Sequence, residues 1–474
     1  MKITWLGLTT RWLVAFVACG LCSAPLVAHP VLTFAVVSHK EPAKDTTSGG
    51  QVVQPSTETY PLVVTLGHQY LTVEAQGTRT IYDFARLRIL RLNLANATFT
   101  DDSLYMDIGF RAMEFQNRIL LGTALQAGKV AVNPMEPALM EQLFSLSNPK
   151  GKTLIDQRHA TGVTEFYWGQ QKLMSVSDRT QELPPGYQSE YWRFLRYYAG
   201  GHPKIYAALG SIKGVPEKVV FVLNNMGTET REMTLNSIHN DADAPFSLQG
   251  LAPAPRPDES PYSTLKILGP DAAARLAERV ESTATARDAA FAKGQILDAF
   301  LGNLAILIMT GNAAGMTAWT SQHRDAIQSD AAARSLTQSI SPQDQAAAKT
   351  AVQTLEELHK EPGNAVYMLD VFEGNILLNM RGGTGGADHL LTALKVNPYL
   401  LGAWHDLGGY YYQSYEADKA WACWDAARRV NPQHSMLLPV TEMEKRLRTT
   451  FPEFFWGWRF VLSMDATIAK ERLS

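Results

Sequence analysis

The chain has 474 residues, of which 46% are hydrophobic and 19% are charged, as in ordinary soluble globular proteins. Its length predicts about two to four domains. The formal net charge is −3 and the sequence has no long basic or acidic run, which argues against a protein that binds nucleic acid.

The amino-terminal residues have the layout of an export signal. Lys2 and Arg11 precede an apolar run over residues 12–21, and small residues follow as far as Ala28. We therefore predict that residues 1–28 form an export signal that is cleaved after Ala28. The rest of the chain is then expected in the periplasm or elsewhere in the cell envelope.

Two alternatives for this segment stay open. Residues 16–19 resemble the box at which exported lipoproteins are lipidated, with Cys19 at the lipidated position. The apolar stretch, extended to Val37, also fits an uncleaved membrane anchor. All three interpretations place residues 40–474 across a membrane, with membrane association only through the amino terminus.

Cysteine usage agrees with this interpretation. Cys19 and Cys22 belong to the predicted signal, so the exported chain keeps Cys423 and forms no internal disulfide. Cys423 neighbours Trp424 in a predicted helix, which favours a buried packing role over a reactive thiol.

Residues 29–57 are predicted to form a flexible tether, because residues 39–58 are polar with small residues at their centre. After cleavage, the amine and imidazole of His29 would offer two nitrogen ligands to copper. The following residues add no second ligand, so no metal site is predicted there.

Alternating apolar and polar residues predict strands in the next part of the chain. The predicted strands are 70–75, 78–83, 88–94, 97–100, 164–168, 173–177, 219–224, 231–238 and 246–248. Helical spacing predicts helices at 104–126, 137–147 and 189–199. Residues 58–250 are therefore predicted to form an α+β domain.

The order of these strands resembles the half-barrel of exported lipoprotein carriers of the outer-membrane localisation family. Three strands from Thr78 to Thr100, a helical insertion and three later strands from Val219 to Leu248 carry the resemblance. It implies a curved antiparallel sheet, covering helices and an apolar cavity for a lipid or lipoprotein. The alternative is a generic α+β domain without a ligand.

Residues 251–262 are predicted to form a stiff, extended linker. Pro253, Pro255, Pro257 and Pro261 lie in this short segment, and proline at this density is expected to prevent both helix formation and sheet pairing.

Residues 263–474 are predicted to be helical. Residues 296–309 are the most apolar piece, but Asp298, Asn303 and Asn312 interrupt any window of the roughly 20 apolar residues that a membrane span needs. A buried helix is therefore predicted. The aromatic stretch at 450–462 is expected to cap the end of the helical stack, or alternatively to form an exposed patch for a partner.

A 34-residue helix–turn–helix pattern organises this helical part. Its residues are Trp404, Leu407, Gly408, Tyr411, Ala420, Trp424, Ala427 and Pro432. The spacing resembles the signature of the tetratricopeptide-repeat family, with Trp424 at a place where phenylalanine is usual. Gly408, which lacks a side chain, is expected to let the second helix approach closely.

A second, degenerate unit precedes the first. Asn397-Pro398 lies 34 positions before Asn431-Pro432, and Gly374 and Ala393 match the pattern. Asp370 and Glu373 stand where the pattern has tryptophan and leucine. Since two units are too few to bury a solenoid core, the neighbouring helices are expected to complete it.

The tetratricopeptide resemblance implies ligand contacts on the concave face of the first helices. The implied positions are Val371, Asn375, Asn379, His405, Tyr412 and Gln413. The family's clamp for a terminal carboxylate requires lysine and asparagine, but His405 and Gly409 stand at those places in the clear unit. This departure argues against binding of a chaperone tail. Asn375, Asn379, His405, Tyr412 and Gln413 stay candidates for binding a polar peptide, and the alternative is that they are solvated surface.

Motifs for catalysis or cofactors are missing from the sequence. It shows no nucleophile elbow, no pair of histidines with zinc-binding spacing and no cysteine cluster. Residues 381–386 are glycine-rich but are better explained as a turn between repeat helices, and residues 239–243 as a turn after a strand.

No catalytic residue, metal site or cofactor is therefore predicted. The predicted function is an exported, non-enzymatic protein that binds a protein or peptide through its helical part. The alternative is a carrier or sensor of an apolar ligand in the half-barrel-like domain.

Overall fold

The computed structural model describes residues 29–43, 47–48, 51–52, 54–128, 136–147, 153–224, 227–241, 247–256, 259–269, 271–381 and 383–455. The predicted export signal lies outside the described residues. The predicted fold class is confirmed: a large, open antiparallel sheet with covering helices is followed by a region built of helices.

Sixteen strands are assigned within the described residues, all of them before residue 254. They are β1 (His29–Pro42), β2 (Thr47–Ser48), β3 (Gln51–Val52), β4 (Ser56–Leu66), β5 (Tyr70–Ala75), β6 (Thr78–Asp83), β7 (Arg88–Asn93), β8 (Thr98–Ser103), β9 (Asp156–Ala160), β10 (Val163–Trp168), β11 (Gln171–Ser177), β12 (Thr180–Gln181), β13 (Val215–Pro216), β14 (Lys218–Asn224), β15 (Gly227–Asp241) and β16 (Ala252–Pro253). Twelve of them form one sheet in the order β16-β8-β7-β6-β5-β4-β1-β15-β14-β11-β10-β9.

Strand β1 lies inside this sheet, where the sequence predicted a flexible tether. It pairs with β4 on one side and β15 on the other, antiparallel in both cases. Leu32, Phe34 and Val36 alternate along it and are at most 1% exposed. Alternation of apolar residues with period two favours a strand in this segment, although polar residues follow position 38.

The other predicted strands of the sheet are confirmed as β5–β8, β10, β11, β14 and β15. The exception is 246–248, because Ser247 and Leu248 lie outside any strand and Phe246 lies outside the described residues. His239 to Asp241 were predicted to be a turn but continue β15, paired with the first residues of β1.

Four helices accompany the sheet. They are α1 (Leu104–Ala127), α2 (Pro137–Phe144), α3 (Gln188–Tyr198) and α4 (Pro203–Leu209). Helix α3 lies against the sheet: Phe194 stacks on Phe34 of β1 with 6.0 Å between ring centres, and Tyr198 hydrogen-bonds Tyr60 of β4 through the two hydroxyls. Its side chains therefore occupy this face of the sheet.

The helical region begins at Tyr262. Its helices are α5 (Tyr262–Leu268), α6 (Ala272–Ala292), α7 (Ile296–Thr310), α8 (Ala313–Gln322), α9 (Arg324–Ser329), α10 (Ala331–Ser339), α11 (Gln345–Leu358), α12 (Tyr367–Asn379), α13 (Gly386–Val396), α14 (Leu401–Gln413), α15 (Ala417–Val430), α16 (Leu438–Thr450) and α17 (Pro452–Phe455), with a 3₁₀ turn at Ser435–Leu437. Helices α10 and α11, α12 and α13, and α14 and α15 pack as successive pairs.

Helix α7 is the buried helix that the sequence predicted. It contacts α12 and α14, and Leu301, Ala305 and Met309 are fully buried. Within the described ranges, the search for a helix of sufficient length and apolarity to cross a lipid bilayer finds none.

Glycines set the close approach of the paired helices. A Cβ atom added at Gly386 of α13 would lie 2.7 Å from the carbonyl oxygen of Gly374 in α12. Gly408 of α14 likewise lies under the Trp424 indole, as predicted. Trp404 and Leu407 of α14 are fully buried in the same core.

The segment predicted to be an unpaired linker contributes an edge strand. Strand β16 runs parallel to β8, and the amides of Ala252 and Ala254 donate to the carbonyls of Ala97 and Phe99.

Within the described residues, Phe454 and Phe455 of the carboxyl-terminal aromatic stretch pack on helices of the sheet region. The Phe454 ring is fully buried, lies edge-on to Tyr197 of α3 at 5.2 Å, and its carbonyl accepts a hydrogen bond from the Tyr197 hydroxyl. Phe455 packs on Tyr105 of α1. Residues 456–462 of this stretch lie outside the described residues.

Side chains of α15 add further contacts between the two regions. Arg88 of β7 forms an ion pair with Asp425 of α15 at 2.6 Å. The Trp421 ring lies against Gly109 of α1, where a Cβ atom would clash with it. Most of the buried hydrophobic residues of both regions consequently form one continuous core, and Ile81, Leu90 and Leu92 form a separate small cluster.

Candidate functional site

A cavity of about 480 Å³ lies between the start of α11 and the outer face of α12. Its apolar lining includes Phe372 and Ile376 of α12. Its polar lining includes Asn375 and Asn379, two of the residues predicted to bind a partner. Helical spacing explains why these four residues share one surface, since they lie three or four positions apart.

The start of α11 forms the opposite wall. Asp344 is the N-cap residue of this helix, and its carboxylate accepts a hydrogen bond from the amide of Ala347 at 2.8 Å. Among the described residues that line the cavity, Asp344 is the one that is ionisable, and its side chain is exposed. The lining therefore offers amides, apolar groups and one acidic side chain.

The amide side chains of the cavity retain donors and acceptors. Asn379 donates to the carbonyl of Asn375 at 2.8 Å, and Gln343 donates to that of Ser341 at 2.9 Å. Gln345 accepts from the amide of Arg381 at 2.9 Å. The carboxamide of Asn375 makes no hydrogen bond to any described residue, so both its oxygen and its nitrogen are available to a ligand.

The structure does not bring the other three predicted residues to this cavity. Tyr412 packs against Trp421 and Trp424 with ring centres 5.6 and 5.7 Å apart, so its ring is occupied inside the α14–α15 pair. His405 contacts Asp406 at 2.9 Å, and Gln413 is exposed at the end of α14. None of these three residues lines the cavity.

A second polar feature lies at the junction of α11, α12 and α13. It consists of His359, Asp370, Glu373 and His389, named here the histidine–carboxylate cluster. His389 Nδ1 lies 2.8 Å from Asp370 Oδ1, and His359 Nε2 lies 3.4 Å from Glu373 Oε2 and 3.9 Å from Asp370 Oδ1. His389 Nε2 lies 3.6 Å from Glu373 Oε1.

The carboxylates of the cluster are buried. The side chain of Glu373 is 3% exposed and that of Asp370 is 12% exposed, whereas the two histidines are about one-third exposed at 29% and 32%. Burial raises the pKa of Glu373 above its ordinary value, and the nearby His389 and His359 act in the opposite direction. The cluster therefore combines two buried carboxylates with two imidazoles that are partly accessible to solvent.

Neighbouring elements hold these residues in place. His359 is the C-cap residue of α11. The turn after it is held by Asp298 of α7, whose carboxylate accepts a hydrogen bond from the amide of Ala365 at 2.7 Å. Asp370 and Glu373 are three positions apart on α12 and so share a face. His389 reaches them from α13.

Sequence reasoning missed this cluster because its two histidines lie on different helices. A local spacing rule detects only ligands on one element or one turn. The departure of Asp370 and Glu373 from the repeat pattern was the signal that could have found it, since both occupy places where a buried apolar residue is expected.

Two other predictions concern single residues. Cys423 is fully buried and burial raises the pKa of its thiol, which confirms its packing role. His29 is the first residue of β1 and not part of a tether, and its Nδ1 lies 3.1 Å from the Tyr187 hydroxyl.

No protein-family model matches this chain, and no curated protein sequence matches it significantly. The contacts described above therefore carry the functional argument by themselves.

Proposed function

We propose that the protein is an exported binding protein that holds an extended, uncharged peptide segment of another protein in the cavity between α11 and α12. The observation that carries the proposal is the free carboxamide of Asn375 above an apolar floor formed by Phe372 and Ile376. A carboxamide presents one acceptor and two donors, which match the N–H and C=O groups of a peptide backbone.

The composition of the lining supports a partner without negative charge. Asp344, the one ionisable residue among the described lining residues, is an acid, so an anionic ligand would meet no positive charge there. Apolar side chains of the peptide fit the floor, while its backbone meets the amides of Asn375, Asn379 and Gln345. The paired helices and their 34-residue offset support a tetratricopeptide-like origin of this surface.

The export and carrier predictions enter the proposal differently. The layout of residues 1–28 supports a partner in the cell envelope. Transport of an apolar ligand by the sheet stays a prediction that no described contact favours, because α3 occupies a face of the sheet with Phe194, Tyr191 and Trp192, each at most 2% exposed.

A random peptide library displayed on phage and selected on the full chain tests the proposal. Selected peptides, made synthetically, are titrated against the unchanged protein, Asn375→Ala and Gln413→Ala by isothermal calorimetry. Loss of the backbone contacts in Asn375→Ala is expected to cost about 1–3 kcal/mol, or roughly a ten-fold to hundred-fold weaker affinity.

Gln413→Ala is the matched control, because Gln413 is an exposed amide residue of α14 that does not line the cavity. Its affinity for the selected peptides is expected to equal that of the unchanged protein. Selected peptides that bind Asn375→Ala as tightly as the unchanged protein would refute the proposal.

A further inference from the structure

Three helices converge on a set of side chains that matches a metal-binding site. His359 Nε2 and one carboxylate oxygen each of Asp370 and Glu373 lie within 4.8 Å of one another. Zinc–ligand bonds of about 2.0–2.1 Å place tetrahedral ligand atoms about 3.3 Å apart. The contacts of His359 to the two carboxylates, at 3.4 and 3.9 Å, are close to that spacing.

The following helical pair shows how unusual these residues are at their positions. Helices α12 and α14 have the same length and begin 34 positions apart. Asp370, Glu373 and His389 therefore correspond to Trp404, Leu407 and Cys423, each of which is fully buried. Three core positions of an apolar hairpin are thus occupied by two acids and an imidazole.

An independent observation at the site points to a missing partner. Glu373 is 2% exposed, and its Oε2 atom is buried and accepts no hydrogen bond from any described residue. A buried carboxylate oxygen without a hydrogen bond is costly, because its hydration is lost and nothing replaces it. His359 Nε2 lies 3.4 Å from this oxygen, beyond the usual length of a good hydrogen bond.

The charge of the cluster matches a divalent cation. With neutral imidazoles, the two buried carboxylates carry two negative charges, which one divalent ion neutralises. Mixed imidazole and carboxylate ligands favour zinc and similar transition-metal ions over magnesium or calcium, which prefer oxygen alone. The partly exposed histidines leave an entry path from solvent.

We infer that His359, Asp370 and Glu373 bind a divalent transition-metal ion of the zinc type, which joins α11 to α12. His389 is a positioning residue: since a carboxylate only accepts, His389 donates its Nδ1–H to Asp370 and fixes the orientation of that ligand. Three protein ligands leave a fourth position for water.

Zinc binding is measured on the full chain after removal of metal with a chelator, with Zn²⁺ as the only addition and no peptide present. We expect one tightly bound zinc ion per chain by elemental mass spectrometry and a higher melting temperature. His359→Gln and Glu373→Gln are expected to weaken zinc binding at least about 100-fold. His405→Gln, which removes the histidine of the His405–Asp406 pair in α14, is the matched control and should bind as the unchanged protein does.

The visible spectrum of bound Co²⁺ separates the ligands from the positioning residue. His389→Gln is expected to weaken Co²⁺ binding about 10-fold to 100-fold with unchanged band positions, because the ligand set is preserved. His359→Gln is expected to lose or shift the bands. Should Glu373→Gln fail to fold, His359→Gln decides, since its side chain is partly exposed and its loss buries no new charge.

Absence of a stoichiometric zinc ion in the unchanged protein would overturn the inference and leave the cluster as a network of contacts between histidines and buried carboxylates. Equal zinc affinity of the unchanged protein and His359→Gln would overturn it as well. Because no peptide is used, neither result depends on the peptide-binding proposal.

Discussion

The packing of Phe454 against the sheet region predicts a large loss of stability in Phe454→Ala. The ring is fully buried between Tyr197 and Arg111, whose guanidinium lies 5.6 Å from the ring centre. Transfer of a phenylalanine side chain from water contributes about 1.5–3 kcal/mol, and an aromatic pair adds about 0.5–1.5 kcal/mol. With the cavity that remains, we expect the free energy of unfolding to fall by about 3–5 kcal/mol.

Urea unfolding followed by circular dichroism measures this change. Phe110→Ala is the matched control, because the Phe110 ring is 38% exposed on α1 and its removal is expected to change stability by about 0.5 kcal/mol or less. Hydrogen exchange of α3 should also accelerate in Phe454→Ala, since Tyr197 loses its cover. If Phe454→Ala were as stable as Phe110→Ala, the described docking of the carboxyl-terminal stretch would be wrong.

Two further predictions concern the helical pair and the sheet. Gly386→Ala is expected to destabilise the protein by about 1–3 kcal/mol in urea titrations, because its Cβ would lie 2.7 Å from the Gly374 carbonyl oxygen. The control Gly409→Ala has open space around its Cβ and should be neutral or slightly stabilising. Equal effects of the two substitutions would contradict the close approach of the helices. Burial by itself would raise the pKa of Glu229, but Arg231, Ser38 and Lys40 together outweigh burial and hold that pKa below its ordinary value of 4.5. The stabilisation from Glu229 is therefore present above pH 4.5 and is lost as the pH falls through the lowered pKa. Between about pH 6 and pH 3, the melting temperature should therefore fall less in Glu229→Gln than in the unchanged protein. An equal fall in the melting temperature of both proteins would refute this prediction.

The elements with strong periodicity were predictable from the sequence. Helix α1 and strands β5–β7 follow their 3.6-residue and two-residue patterns closely enough that their bounds were nearly right. Strand β1 was missed because Leu32, Phe34 and Val36 stand between a predicted signal and a polar stretch, and local composition was given more weight than alternation. Strand β1 pairs with β4 and β15, and the pairing with β15 joins residues about 200 positions apart, which a local sequence pattern does not indicate.

The candidate sites divide in the same way. Asn375 and Asn379 line one cavity, because helical spacing places them on one surface of α12, and their binding of a partner stays a prediction. Tyr412 was predicted to bind a ligand by the same rule, but its ring packs against Trp421 and Trp424 within the α14–α15 pair. The histidine–carboxylate cluster requires the packing of three helices, which no single segment encodes.

Two contacts join helix α15 to the sheet region: the Trp421 ring lies against Gly109 of α1, and Asp425 forms an ion pair with Arg88 of β7. At this seam, helix α15 cannot rotate or slide without separating the Trp421 ring from Gly109 and breaking the Arg88–Asp425 ion pair. The same seam makes a fragment that starts after residue 262 a poor experimental substitute for the whole chain, since it would present the indole of Trp421 and the ring of Phe454 to water.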